Sequence, residues 1–117
     1  MRGEYNNIHA FNNTSNLPAA NSSAVVTLAA RTGYGERRYV RQIDVSLEGT
    51  ITAAAVLTVT GLDDADYSIS FPIIATGHIG QLGFAEPLRG LPNGAVVVTL
   101  TTGGAGATGK INVIHDV

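Results

Sequence analysis

The sequence predicts an all-β fold: a single-domain antiparallel β-sandwich or jelly roll of about seven or eight strands, with an extended N-terminal arm. Apolar and polar residues alternate with period two in several short runs, most clearly over residues 39–47. Clusters of Gly, Asn, Asp and Pro separate these runs, and no run has the length and period of a credible helix. A chain of 117 residues is long enough for one hydrophobic core but not for two.

The first 22 residues differ in composition from the rest, so we divide the chain into an N-terminal arm (residues 1–22) and a β-sandwich domain (residues 23–117). The arm contains six Asn residues, whose side chains compete for backbone hydrogen bonds and favour turns. Its few apolar residues are spaced like anchors on an extended segment. Two interpretations stay open: a loose terminus, or an arm that docks on a neighbouring subunit through Tyr5 and Phe11.

Four strands are predicted in the first half of the domain, over residues 24–30, 39–47, 55–60 and 67–73. Alanines in ITAAAVL favour a helix, but the stretch is short, Thr and Val follow it, and Gly61 closes it, so a strand is preferred. Pro72 cannot donate to a ladder, which puts the end of the fourth strand at an edge or a bulge. The residues expected to share a face in each strand are Ala24, Val26, Leu28 and Ala30; Tyr39, Arg41, Ile43, Val45 and Leu47; Ala55, Leu57 and Val59; and Tyr67, Ile69, Phe71 and Ile73.

Three further strands are predicted over residues 79–85, 94–102 and 110–115. The segment EPLRGLPNG is expected to be a loop, because it carries two prolines and an Asn-Gly turn signal. The flexible segment GGAGATG is expected to join the last two strands as a hairpin-like pair. The residues predicted to point inward are Leu82 and Phe84; Val96, Val98 and Leu100; and Ile111 and Val113.

Composition limits the partners of the chain. Charged residues make up 14% of it, against about 25% in an average globular protein, and a small domain with so few charges usually hides part of its surface in an assembly. The net charge of −2 provides no basic face for phosphates, so no nucleic-acid partner is expected. There is no cysteine, so disulfides and thiolate metal sites are excluded. No apolar run approaches the roughly 20 residues that span a membrane, so we expect a soluble protein with no membrane partner.

No group of residues has the spacing of a catalytic or metal site, so we expect neither enzymatic activity nor a cofactor. The three histidines fit no metal-ligand pattern, although a trimer axis could gather three copies of one of them. The acidic turn GLDDAD lacks the further ligands of a calcium loop and is expected to be solvated. There is no nucleophile elbow, and GAGATGK is one residue short of a phosphate loop and precedes a strand rather than a helix. The residues concerned are His9, His78 and His115, and Asp63, Asp64 and Asp66.

Arginines supply the remaining candidates for binding, which we expect to be between proteins. Arg37, Arg38 and Arg41 form the only basic cluster, with Arg31 nearby. Arg37 and Arg41 would share a face that Arg38 opposes, which suits carboxylates on a neighbouring chain better than a phosphate; a role in solubility is the alternative. Arg89, in the predicted loop, is a second candidate contact point.

The segments RRYVRQIDVSLEGT, ITAAAVLTVTG and PLRGLPNGAVVVTLTTGGAGATGKINVI resemble small virion proteins of tailed bacteriophages, over roughly residues 20–115. The resemblance implies a capsid decoration (cement) protein: a β-sandwich, often trimeric, that binds and stabilises the lattice of the major capsid protein. It places the protein on the capsid surface of the virion after synthesis in the host cytoplasm. It implies no specific site residues, because no site motif is matched.

The alternative is a glycan-binding or protein-binding module on a phage tail or fibre. Jelly rolls commonly bind glycans through surface aromatic and Asp or Asn side chains. Tyr34, Tyr39 and Tyr67 are the candidates here, in a chain without tryptophan.

Overall fold

A computed structural model describes residues 11–71 and 78–116. Within these ranges the chain forms eight β-strands and no helix, which confirms the predicted all-β class. The strands are β1 (Phe11–Asn16), β2 (Ala24–Leu28), β3 (Tyr39–Gly49), β4 (Ala55–Thr60), β5 (Tyr67–Phe71), β6 (His78–Arg89), β7 (Val96–Leu100) and β8 (Ala107–Asp116).

The strands form two four-stranded antiparallel sheets that pack against each other as a β-sandwich. The first sheet has the order β1-β8-β3-β6 and the second the order β2-β7-β4-β5. Their inward side chains form one core of Val, Leu, Ile and Ala, in which Ile43, Leu47 and Ile111 of the first sheet meet Leu57 and Leu100 of the second. The N-terminal and C-terminal parts of the chain thus share one hydrophobic core.

The predicted inward faces of four strands are confirmed, because buried positions alternate along β2, β4, β7 and β8 as the period-two pattern requires. Leu82 and Phe84 of β6 are partly buried against the core, as are Tyr67 and Ile69 of β5. Ala30 is an exception: β2 ends at Leu28, and Ala30 is exposed. Pro72 and Ile73 lie outside the described residues.

Strand β3 differs from the prediction at its start. Tyr39 and Arg41 were expected to share the inward face with Ile43, but Val40 is buried there instead and Tyr39 and Arg41 are only half-buried. The pairing of β3 with both neighbours shifts register between Val40 and Gln42. This β-bulge inserts one extra residue into β3, so that Val40 and Ile43, three positions apart, both face the core.

The expected hairpin of the last two strands is wrong, because β7 and β8 lie in different sheets. Strand β8 also begins at Ala107, three residues earlier than predicted, so the connection is shorter. Gly103 is buried in this connection, and its carbonyl accepts the backbone N–H groups of Thr52 and Ala53 at 2.8 Å each. Crossing between the sheets lets the apolar faces of β7 and β8 pack into the same core from opposite sides.

Part of the predicted arm belongs to the sandwich. Residues 11–16 form the edge strand β1, which pairs with β8 from Phe11↔Asp116 to Asn16↔Ile111. Tyr5, the other proposed anchor, lies outside the described residues. Whether the arm docks on a second subunit therefore stays a prediction.

Candidate functional site

A groove of about 760 Å³ lies where β5 and β6, the edge strands of the two sheets, approach each other. One wall is the β4–β5 loop with its acidic residues, and the other is the last part of β6, residues 85–89. Tyr39 and Arg41 of β3 and Tyr67 of β5 complete the lining. The groove is therefore built by both sheets, and its volume lies within the range of about 300–1,000 Å³ that is typical of small-molecule sites.

Backbone hydrogen bonds fix the acidic loop against β6. The Asp63 N–H donates to the carbonyl of Arg89 at 2.8 Å, and the Leu91 N–H donates to the carbonyl of Gly61 at 3.1 Å. Leu62 forms an isolated bridge with Gly90 and is itself buried. Since both walls are tied together by main-chain bonds, the shape of the groove does not depend on side-chain rotamers alone.

Asp63 joins the two walls through its carboxylate. Arg89 donates to Asp63 Oδ2 at 2.7 Å, and Arg37 Nη1 lies 3.3 Å from the same oxygen while it donates to the carbonyl of Gly90 at 2.9 Å. The hydrogen bond from Arg89 lowers the pKa of Asp63 below its ordinary value, with a further contribution from Arg37. At neutral pH this carboxylate is ionised and paired with two guanidinium groups.

Two tyrosines give the groove aromatic character. Tyr67 is half-buried and meets Phe84 edge-to-face, with ring centroids 5.4 Å apart and an interplanar angle of 87°. Such edge-to-face aromatic pairs are energetically favourable. Tyr39 is also half-buried, and its backbone N–H donates to Asp116 Oδ1 at 3.0 Å.

Asp116 is the centre of a buried polar cluster behind Tyr39. Its carboxylate is only 5% exposed and forms an ion pair with Arg31, while Arg38 Nε lies 3.3 Å from Oδ1. Next to it, His115 is buried, with Nδ1 2.6 Å from the carbonyl of Asp116 and Nε2 2.9 Å from Thr14 Oγ1. A proton on Nδ1 lets His115 donate to the carbonyl of Asp116 and accept from the Thr14 hydroxyl at Nε2, whereas Arg38 Nη2, 3.2 Å from Nδ1, can donate only to the other tautomer.

Burial lowers the pKa of His115, and the positive charges of Arg38 and Arg31 act in the same direction. The hydrogen bond to the carbonyl of Asp116 and the carboxylate of Asp116 oppose this effect. His115 is therefore neutral in the folded protein at neutral pH. The cluster ties together β1, β3, β8 and the loop before β3.

The structure separates the arginines that the sequence grouped together. Arg37 and Arg89 both pair with Asp63, and Arg89 and Arg41 line the groove, whereas Arg38 belongs to the Asp116 cluster. The prediction that Arg89 lies in a loop is wrong. Strand β6 extends as far as Arg89, which pairs with Tyr39 of β3. Phe11 lies in β1 as the ladder partner of Asp116, and Tyr5 is outside the described ranges.

Sequence reasoning missed the partners of these arginines. Asp116 and Asp63 are 85 and 26 positions away from Arg31 and Arg89, so no local pattern connects them. A signal for Asp116 was nevertheless present, because a carboxylate at the end of an apolar strand requires a cationic partner when it is buried.

Neither a metal site nor a membrane-spanning helix is found in the part of the chain that the structure describes. No group of three or more His, Cys, Asp or Glu side chains in residues 11–71 and 78–116 is arranged to hold a metal ion. The same residues contain no helix with the length and apolar character needed to cross a membrane.

No protein-family model matches the sequence, and no curated protein does. Among solved structures, the chain is similar to the carbohydrate-binding module TmCBM61 in complex with β-1,4-galactotriose. The TM-score is 0.51 and the identity 13%, and the match covers 90% of this chain and 69% of the other. A ruminal GH26 endo-β-1,4-mannanase matches at a TM-score of 0.44 and 16% identity, over 86% of this chain and 19% of that one. The first likeness establishes the β-sandwich fold, and the second carries no argument.

Proposed function

We propose that this chain is a capsid decoration (cement) protein of a tailed bacteriophage, which binds the lattice of the major capsid protein as a homo-oligomer, with a trimer favoured. The observation that carries the proposal is the outer face of the second sheet, which contains no charged side chain among the described residues of its four strands. Its residues are Val25 and Thr27 of β2, Val97 and Thr99 of β7, Val56 and Thr58 of β4, and Ser68 and Ser70 of β5. We call this surface the uncharged face.

The uncharged face has the properties of a protein-binding surface. Val25 is 43% exposed, and Val56 and Val97 are half-buried, so apolar atoms are accessible across three neighbouring strands. Depletion of charged residues is the compositional mark of the centre of an interface. The outer face of the first sheet is different, because it carries Asp44, Glu48 and Lys110.

Internal pairing of the arginines also supports a neutral contact surface. Arg31, Arg37, Arg38 and Arg89 all have carboxylate partners within this chain. A partner would therefore be held by apolar burial and strand edges rather than by these charges. The resemblance of the sequence to small phage virion proteins agrees with this role.

The test is binding to capsids of the source phage from which this protein has been removed, followed by co-sedimentation. Val97→Glu places a charge at the centre of the uncharged face and should weaken binding by about tenfold or more. Ser46→Glu, on the outer face of the first sheet and opposite Lys110, is the matched control and should bind like the unmodified chain. Light scattering on the free protein measures the oligomer. A strictly monomeric protein without affinity for capsids would contradict the proposal.

A second candidate function is glycan binding on a phage tail or fibre, and the groove favours it. The groove combines half-buried Tyr39 and Tyr67 with several carboxylates, the residue types expected for this function. A carbohydrate-binding module shares the fold. Titration of the protein with neutral and charged oligosaccharides tests this candidate independently of capsid binding.

A further inference from the structure

The chemistry of the groove restricts which ligand it accepts. Aromatic rings pack against the C–H faces of pyranose rings, while the hydroxyl groups at the ring edge donate hydrogen bonds to carboxylates. Tyr39 and Tyr67 supply the rings, and the two walls supply the acceptors. The surface is therefore complementary to a ligand that is apolar on its ring faces and rich in hydroxyl donors at its edges.

Charge in the groove is unbalanced. Asp63 is paired with Arg37 and Arg89, but Asp64, Asp66 and Glu86 add three exposed carboxylates to the lining. Together with Arg41, the arginines bring three positive charges against four carboxylates, so among the described residues the groove carries one net negative charge. A ligand carboxylate would enter a site of the same sign of charge. The repulsion makes its binding free energy less favourable, most strongly at low ionic strength.

Arg89 adds a fixed hydrogen-bond donor. Asp63 holds its guanidinium at 2.7 Å, yet the side chain is 56% exposed, so N–H groups remain available to a ligand oxygen.

We infer that the groove between the β4–β5 loop and residues 85–89 binds uncharged pyranose chains and discriminates against uronic acids. The inference rests on the second candidate function above and specifies its ligand. The main-chain bonds between the loop and β6 preform the site, so little ordering free energy opposes binding. Discrimination comes from Asp64, Asp66 and Glu86, and affinity comes from the two tyrosines.

The test uses a matched pair of ligands, trigalacturonic acid and its fully methyl-esterified form, which has the same rings without the charges. Cellotriose and mannotriose extend the neutral set. Affinities are measured by calorimetry at low and high salt, and contacts by NMR shifts of the groove residues. We expect the ester and at least one neutral trisaccharide to bind about tenfold or more tightly than the acid at low salt, with a smaller difference at high salt.

Three variants separate the contributions. Tyr67→Ala should reduce affinity for the neutral ligands about tenfold or more, whereas Tyr34→Ala, which removes a fully exposed tyrosine outside the groove, should not change it. The double variant Asp64→Asn/Asp66→Asn changes only exposed side chains, so it should fold normally, and it should narrow the gap between ester and acid.

Each outcome bears on one claim. Tighter binding of the acid than of its ester overturns the inference but leaves glycan binding intact. Absence of binding for every saccharide at millimolar concentration overturns both, and leaves the capsid proposal to its own test. Equal losses in Tyr67→Ala and Tyr34→Ala would place the ligand outside the groove and also reject the inference.

Discussion

Asp116 shows how a single residue near the C-terminus holds distant parts of the chain together. Its carboxylate forms ion pairs with Arg31 and Arg38 and accepts a hydrogen bond from the backbone N–H of Tyr39. Removing the charge of a buried carboxylate leaves its cationic partners uncompensated, which costs more than the pair itself contributes. The same contact positions the backbone of Tyr39 beside the groove.

Asp116→Asn should lower the free energy of unfolding by about 2–4 kcal/mol. This is less than the loss on breaking a fully buried ion pair, because Arg31 is partly exposed to water and its charge is screened. Urea denaturation followed by far-UV circular dichroism measures the change. The control is Asp66→Asn in the exposed loop, which should stay within about 0.5 kcal/mol of the unmodified chain. Equal stability of the two variants would show that the Asp116 pairs contribute nothing.

His115 makes stability depend on pH. Its pKa is lowered from the ordinary value of 6.5 in the folded chain, so below about pH 6.5 the unfolded chain binds more protons than the folded one. Stability is therefore fully present above this pH and declines as the pH falls toward the folded-state pKa. We expect the unfolding midpoint in urea to decrease between about pH 7 and pH 5.

His115→Asn removes this titration and should flatten the slope, whatever its effect on stability at pH 7. Asp63 does not interfere, since its lowered pKa contributes stability above the ordinary value of 3.8 that is lost only in more acidic solution. An unchanged slope in His115→Asn would assign the pH dependence to other groups.

At the scale of elements, glycines at positive φ let the loops close tightly. Gly61 ends β4 at φ 86°, and a Cβ there would collide with the backbone oxygen of Ala95. Gly35 has a similar φ of 66° in the loop before β3, but a Cβ there would meet no atom within 4 Å. An alanine at position 35 would therefore suffer only backbone strain, whereas an alanine at position 61 would suffer the same strain and a steric collision.

Gly35→Ala should cost about 1 kcal/mol, the strain of a left-handed alanine, and Gly61→Ala about 3 kcal/mol or more, because the β4–β5 loop must also move away from residue 95. Thermal unfolding of both variants measures the difference. Because Gly61 accepts the bond from Leu91, Gly61→Ala should also disturb the groove. Similar costs at the two positions would contradict the steric argument.

At the scale of the whole molecule, the two sheets share one core and should unfold together. Leu57 of β4 is fully buried between them. Leu57→Ala should lower stability by about 2–5 kcal/mol through the lost contacts and the cavity that remains.

Hydrogen exchange tests the cooperativity, because amides in β3 and β8 of the opposite sheet should exchange faster by the same factor as those of β4 and β7. Val56→Ala, at a half-buried position on the uncharged face, is the control with a smaller effect. Faster exchange confined to the second sheet would show two independent units.

The sequence alone determined seven of the eight strands in the described residues and most of their inward faces, but it assigned β1 to the arm. Period-two alternation is a local property, so Val96, Val98 and Leu100, for example, could be assigned to the core from their own segment. The start of β3 could not be assigned, because the bulge between Val40 and Gln42 depends on pairing with β6 and β8.

The tertiary structure decided which strands are neighbours, and with them the site. Local pattern shows that β7 and β8 each have an apolar face, but not that these faces meet from opposite sheets. The groove, the pairing of Asp63 with Arg37 and Arg89, and the burial of Asp116 join residues that are far apart in the chain. The physical reason is that the alternation of apolar and polar residues along a strand indicates only which of its faces is buried. Strand order and ion pairs depend on residues far apart in the sequence, so they are fixed only when the whole chain folds.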